Sequence, residues 1–373
     1  MKRNVSIGLV VVFCVALAGC SKSQPPATSP PATKEPIHEG YPLSYIQALQ
    51  EQQKQLEAAA PQIGAGLQSI IALSRTWTPG STVSVAFNGG SKELRRQISE
   101  AIRPWTEVAN IHFDFGDAAN GYREWTTTDT AYRADIRIAF AGSPEGGYWS
   151  MVGRDSINKT LRPPNTPSMN FEGFAEELPS DWRSVVLHEF GHAIAFEHEH
   201  QNPASTCQQE YRWNDDPGYV PTRDVYSQFI RDAQGRVPGI YTVLGGAPNW
   251  WKPEQVDFNM KRFSATPDLI FSAFDPQSIM KYHFDQKLFL NLTTSTASGC
   301  YSPRTFVLSA QDRLAASQRY PYNAGDIATV SSQRSKVAEK MKSVKTLSGE
   351  LREYFRTMVQ PAKGKEKKGK EDK

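Results

Sequence analysis

The chain has 373 residues, and its 42 lysines and arginines nearly balance 39 aspartates and glutamates, leaving a formal charge of +3. No nucleic-acid motif and no phosphate-cradling glycine loop occurs in it, so nucleic acid is not an expected partner. The apolar run at 5–18 is about 14 residues long, short of the roughly 20 that span a bilayer as a helix.

Lys2 and Arg3 precede that run and Leu17-Ala18-Gly19-Cys20 follows it, the three-part build of a secretory signal. The tetrapeptide resembles the bacterial lipobox, which implies that residues 1–19 are removed and that Cys20 carries lipid; an ordinary cleaved signal is the alternative. Ser21 stands where an aspartate would favour inner-membrane retention, so the expected location is the cell envelope, at the outer membrane in a Gram-negative cell. Residues 20–40 are rich in proline, serine and threonine and predict a flexible tether. In 41–75, Ile46, Leu49 and Leu56 recur at helical spacing and predict a helix packed on the main body. A segment that blocks the functional site is the rival reading of that region.

Val83, Val85 and Phe87 alternate as a strand should, and Ser91 then caps a predicted helix carrying Leu94, Ile98, Ile102 and Trp105 on one face. Pro104 is expected to kink its last turn. Ile111, Phe113 and Phe115 predict a second strand, and Ile136, Ile138 and Phe140 a third. Ser180 or Asp181 opens a further helix with Val185, Val186 and Phe190 facing the core.

That helix leads into the densest signal in the chain. Residues 188–200 hold four of the seven histidines. His188 and His192, four apart, share a helix face and can aim at one metal ion, and Glu189 sits beside them where it could take a proton from a bound water. His198 lies six residues further on, and three histidines with an open fourth position make a catalytic zinc site, one Zn2+ per chain. A straight helix would carry His198 about 15 Å along the axis, so the chain must turn soon after His192. His200 is the competing third ligand.

Downstream, Asp312 begins a closing helix. Val337, Met341, Val344, Leu351, Phe355 and Met358 form a heptad-like pattern with Ser348 in one seam position and Gly349 beside it, predicting one C-terminal helix at 326–360 docked on its own domain. Losing Lys2 and Arg3 lowers the charge by two, to +1 for the mature chain. Residues 332–373 hold 13 basic against 6 acidic residues, a net +7, so 20–331 carries −6. The lysine-rich tail at 361–373 is expected to be solvated, with contact to anionic lipid or cell-wall polymer as the alternative. Once Cys14 leaves with the signal and Cys20 takes lipid, Cys207 and Cys300 remain and are expected to pair in an oxidising compartment. Strands and helices followed by a long irregular half give one α+β domain at 76–325, expected to be monomeric. Trp250 and Trp251 are expected in packing, with a cleft lining as the alternative.

With the segment 274–282 added, the chain resembles the metzincin metallopeptidases, and within them the astacin-like group. The zinc motif of that group reads HExxHxxGxxHE, matched here from His188 to Glu199 except that Ala195 stands where the glycine belongs. Its Met-turn, S-x-M-x-Y, is matched by Ser278, Met280 and Tyr282. The resemblance covers roughly 77–322 and implies a twisted mixed sheet, a zinc helix above the cleft and an irregular, partly helical lower half. It implies that Met280 lies under the metal as an apolar floor and that Tyr282 is a further zinc ligand able to swing to the transition state. It also implies that a protein or peptide substrate lies along an edge strand in 134–150, taken near 136–140. Gln201-Asn202-Pro203 and the enlarged stretch 208–271 depart from the group, outside the metal motif. The expected reaction is peptide hydrolysis, with Glu189 as base and then acid and Tyr282 stabilising the oxyanion. A surface-binding lipoprotein with a structural zinc, or a zinc hydrolase of a cell-wall amide bond, are the alternatives.

Overall fold

The structure, a computed structural model, describes residues 39–142, 145–265 and 271–359. The expected signal segment, Cys20, most of the 20–40 tether and the 361–373 tail lie outside the described residues. No helix among the described residues is long and apolar enough to cross a membrane.

Two helices, α1 (Leu43–Ile63) and α2 (Leu67–Arg75), precede a mixed sheet. In β1 (Thr82–Phe87) the alternating Val83, Val85 and Phe87 are all buried, as the period-two pattern requires. The helix capped by Ser91 is α3 (Lys92–Ala101), where the serine hydroxyl accepts the Leu94 N–H. It ends sooner than its apolar face suggested. A separate helix, α4 (Arg103–Val108), follows, with Pro104 in its first turn, where a missing N–H costs nothing. Ile102 and Trp105 still reach the core across the break.

The sheet continues with β2 (His112–Asp114), β3 (Ile136–Ala139), β4 (Tyr148–Ser150) and β5 (Met169–Phe171), in the spatial order β2-β1-β3-β5-β4. Only the β4–β5 pair is antiparallel. The expectation that a substrate would pair near 136–140 is therefore corrected. β3 is bonded to β1 on one side and β5 on the other, so its backbone has nothing left to offer. The edge strands are β2 and, on the side of β5, β4 at Tyr148-Trp149-Ser150.

One face of the sheet packs on α5 (Trp182–Ala193), whose Val185, Val186 and Phe190 are buried in the main core beside Ile279 and Met280. Beyond α5 come four short helices, α6 (Cys207–Glu210), α7 (Ile240–Leu244), α8 (Pro253–Met260) and α9 (Leu292–Ser298), with a small hairpin of β6 (Thr222–Arg223) and β7 (Phe229–Ile230). They enclose a second core around the Cys207–Cys300 disulfide, whose Cα atoms stand 5.2 Å apart. Trp251 is buried in that core, whereas Trp250 is exposed and lies over the Arg223 guanidinium. The fold class is α+β.

In α10 (Ala310–Arg319) the cap is Ser309, with Asp312 its capping-box partner. The expected single C-terminal helix is two, α11 (Ala324–Ser343) and α12 (Gly349–Arg356). Ser348, polar in an otherwise apolar seam, is there as the cap of α12, its hydroxyl accepting the Leu351 N–H. Met341, Val344, Leu351 and Phe355 then bury against Leu56, Ile63 and Ile70 of α1 and α2. The pattern serves docking, not a coiled coil.

The disulfide closes a loop spanning 93 positions between the two stretches that follow the site motifs. Replacing both cysteines by serine should lower stability by about 2–5 kcal/mol. Urea unfolding curves that coincide for the variant and the wild-type chain contradict this.

Candidate metal centre

α5 places His188 and His192 on adjacent turns, and the chain then reverses at Ala195, whose φ is +67°. A left-handed alanine costs about 1–2 kcal/mol. Three consecutive carbonyls are tied down there to offset it. The Trp77 indole donates to Ala193 O at 2.7 Å, the Tyr320 hydroxyl to Ile194 O at 3.0 Å, and Arg319 to Ala195 O. Opposite, a Cβ on Gly153 would lie 3.0 Å from the Ala195 methyl and 2.0 Å from Arg75 O, so glycine leaves room for the alanine.

The reversal brings three imidazoles together. His192 Nε2 stands 3.1 Å from His188 Nε2 and 3.0 Å from His198 Nε2. Among the described residues these three histidines form the one group able to hold a metal ion. The opposite ring nitrogens settle the tautomers. His188 Nδ1 donates to Ile279 O at 2.8 Å, and His192 Nδ1 to Phe196 O at 2.8 Å. His198 Nδ1 donates to Gln201 Oε1 at 3.0 Å; the Gln201 amide nitrogen is committed to the Phe258 and Lys261 carbonyls, so its oxygen is free to accept. With each proton on Nδ1, three lone pairs face one point and no hydrogen lies between them. Burial drives the pKa of all three below the ordinary histidine value, so protonation does not relieve the crowding. Three neutral imidazoles at this spacing fit zinc, for which tetrahedral bonds of about 2.0–2.1 Å put ligand nitrogens about 3.4 Å apart.

His200 does not join them. Its Nε2 donates to Asn259 O at 2.8 Å, its pKa is pushed down by burial to about 3, and its ring stacks on Tyr282 at 4.3 Å. Met280 packs against α5. A Cβ at Gly191, between the two helical histidines, would fall 2.3 Å from the Met280 sulfur, so glycine is what admits the methionine. The Met-turn also positions ligands through its backbone, with Ile279 O on His188 and Met280 O accepting the Glu199 N–H. Asp312 fixes the turn in its place, accepting from the Ser278 hydroxyl at 2.7 Å and the Ile279 N–H at 2.9 Å.

Glu189 and Tyr282, buried beside the histidines, have no hydrogen-bond partner among the described residues. Both carboxylate oxygens of Glu189 and the hydroxyl of Tyr282 are inaccessible and unbonded. Burial, and then the negative charge of Glu39, push the Glu189 pKa well above the ordinary carboxylate range. Burial likewise raises that of Tyr282, so the phenol keeps its proton and remains a donor. The Tyr282 ring centroid is 4.3 Å from that of His198.

The centre is covered by the chain's own N-terminal stretch. Glu39 bridges to Tyr148 of β4, and the Gly40 N–H donates to Tyr148 O at 2.9 Å. Tyr41 lays its ring 5.2 and 5.1 Å from those of His192 and His198, with its hydroxyl 3.1 Å from His192 Nδ1 and donating to Glu197. Burial alone would raise the Glu39 pKa, but the charge and hydrogen bond of Arg304 help to hold the carboxyl down at about 2. α1 does pack on the body, as its periodicity implied, and the three residues at 39–41, just ahead of it, also close the site.

Glu39, Tyr41 and Arg304 carried no sequence signal, being 149, 147 and 116 positions from His188 in stretches of ordinary composition. The two departures from the zinc-motif family also bear on the metal group after all. Gln201 orients His198, and residues 258–261 of the enlarged stretch hold Gln201 and His200.

No protein-family model matches the chain, and no curated protein matches it. Among solved structures 17 chains do. One structure of myroilysin is 28% identical, covering 67% of this chain and 97% of that one at a TM-score of 0.47. A crystal structure of myroilysin is 26% identical, covering 67% and 87% at 0.43. High choriolytic enzyme 1, a hatching-enzyme zinc-protease from the medaka fish Oryzias latipes, is 13% identical, covering 67% and 96% at 0.34.

His198→Ala should cut bound zinc well below one per chain, and His200→Ala should leave it near one. Elemental analysis of the two purified variants with the opposite ranking would transfer the ligand role to His200.

Proposed function

We propose that the chain is a zinc-dependent endopeptidase of the astacin-like metzincin type. The observation that carries this is a buried carboxylate without a hydrogen-bond partner among the described residues, Glu189, beside three imidazole lone pairs that share one focus. A structural zinc would fill its fourth position with protein and has no use for such a carboxylate. Zinc held by His188, His192 and His198 would supply Lewis acidity, polarising a carbonyl and bringing the pKa of a bound water to about 7.

The remaining work falls to the chain. Glu189, buried beside the triad and without a hydrogen-bond partner among the described residues, takes the proton from the attacking water and returns it to the leaving amine. Tyr282, protonated and unbonded, donates to the oxyanion as it forms. The free edge of β4 pairs with an extended substrate backbone. Residues 39–41 lie on that edge, so they move aside before a peptide enters.

Cys20 is the proposed lipid anchor, its support being the Leu17-Ala18-Gly19-Cys20 run behind a short apolar segment. Several acyl chains hold a protein on a membrane where one binds only marginally. Cys20→Ser should abolish lipidation, and mass spectrometry finding an unmodified mature N-terminus in the wild-type membrane fraction would reject the anchor.

Glu189→Gln keeps the side chain's size and removes its basicity. The zinc content should stay at one per chain while casein hydrolysis drops by about 10²–10⁴-fold. Cleavage near the wild-type rate would show that another group is the base, and hydrolysis of cell-wall amides with casein untouched would move the activity to a different bond.

A further inference from the structure

Among the described residues twelve large apolar side chains are exposed, and five of them fall within 220–250: Val220, Val225, Tyr226, Ile230 and Trp250. They belong to the β6–β7 hairpin and to the loop on which Phe229 packs at Gly246. Val225, 84% exposed, and Tyr226 make the hairpin tip, which closes through the Ser227 N–H on Asp224 O and the Asp224 N–H on Gln228 O. Arg223 joins hairpin to loop, its guanidinium 4.1 Å from the Phe229 ring centroid and 5.6 Å from that of Trp250. Trp250 is 59% exposed at a φ of +55°, a left-handed backbone that is costly for a bulky side chain. That turn keeps the Trp251 indole in the core and puts the Trp250 indole in solvent. The groups that orient the metal triad come from other parts of the chain.

Charge and chain path name the partner. Between Val220 and Trp250 stand Arg223, Arg231 and Arg236 against Asp224 and Asp232, a net +1 in a body that carries −6. Both carboxylates turn inward. Asp224 accepts the Tyr226 and Gln228 N–H groups, and Asp232 accepts those of Val220 and Arg236 and pairs with the Arg236 guanidinium. Arg223 and Arg231 stay exposed. Aromatic, aliphatic and arginine side chains together suit the headgroup layer of an anionic bilayer, where rings sit between water and acyl chains and guanidinium meets phosphate. The chain path agrees. A Cβ on Gly40 would lie 2.3 Å from the Trp251 ring, so the N-terminal stretch joins the body beside the residue next to Trp250. Nineteen positions separate Glu39 from Cys20, the proposed lipid site, a reach of at most about 65 Å. A bilayer that held the lipid would lie within reach of the patch.

We propose that the tip of the β6–β7 hairpin and Trp250 form a membrane-docking surface that seats the body on an anionic lipid bilayer. This rests on the lipid-anchor reading and deepens it, because lipid and patch are then two signals for one surface, the combination that stable attachment requires.

The test uses the mature chain from residue 20 with Cys20→Ser, so that no lipid is attached, and the same chain with Val225→Ser and Trp250→Asn added. Asparagine tolerates the left-handed backbone, and neither residue touches the metal centre, so casein cleavage should be unchanged. With vesicles of equal parts phosphatidylcholine and phosphatidylglycerol the parent should co-sediment, and the added pair should raise the lipid needed for half binding about tenfold. Phosphatidylcholine alone, or added salt, should weaken the parent. Brominated lipid should quench the tryptophan fluorescence of the parent more than that of the Trp250→Asn chain. Equal sedimentation of parent and variant, or equal quenching, would overturn the docking surface. So would a dimer of the parent seen by light scattering without vesicles and lost in the variant, which would make the patch a contact between copies. Slower casein cleavage by the variant with vesicle binding unchanged would make it a substrate contact and overturn it as well. An unmodified N-terminus on the wild-type chain taken from membranes, with vesicle binding of the parent as expected, would reject the Cys20 anchor and leave the docking surface standing.

Discussion

Everything at the centre of this molecule follows from where three protons sit. Each imidazole of the triad gives its Nδ1 proton to an oxygen that cannot give one back: two backbone carbonyls and an amide oxygen whose nitrogen is already engaged. The Nε2 lone pairs are left pointing at one another from 3.0–3.1 Å. Such a cluster is repulsive unless a cation lies within it, and burial that disfavours imidazolium removes the proton as that cation. Outer partners that fix tautomer and orientation are part of a metal site as much as its ligands are.

Those oxygens tie distant parts of the chain to one spot. Ile279 O comes from the turn that Asp312 clamps and that carries Met280, so the closing helix α10, the turn and His188 form one bonded unit. Phe196 O and the turn at Ala195 depend on Trp77, Arg319 and Tyr320, from either end of the domain. Gln201 depends on α8 and the residue after it. The α+β body therefore serves to hold three ring orientations. The exposed hairpin of β6 and β7 stands apart from that chain of contacts.

Much of this was legible in the sequence because it is periodic or local. Alternation marks β1 and β3, a serine ahead of an apolar face marks α3, and the i, i+4 histidines with a third six residues on fix the metal triad. The need to reverse after His192 follows from helix rise alone, and the left-handed Ala195 is how the chain does it. What escaped is non-periodic or remote. β4 is three residues, all buried, with no alternation to mark it, whereas the 136–140 run alternates and reads as the edge from sequence alone. The break at 344–348 hides in a heptad because a cap serine looks like a seam defect until its hydroxyl is seen on the Leu351 N–H. Glu39 and Arg304 are 265 positions apart, and only tertiary packing makes them a pair.

The most direct test of the account is anomalous diffraction at the zinc absorption edge from crystals of the zinc-loaded chain. The account predicts one peak per chain, about 2.0–2.1 Å from the Nε2 atoms of His188, His192 and His198, with every Nδ1 still on its oxygen. A metal bound through any Nδ1, a fourth permanent protein ligand supplied by His200, or no peak at the triad would contradict it.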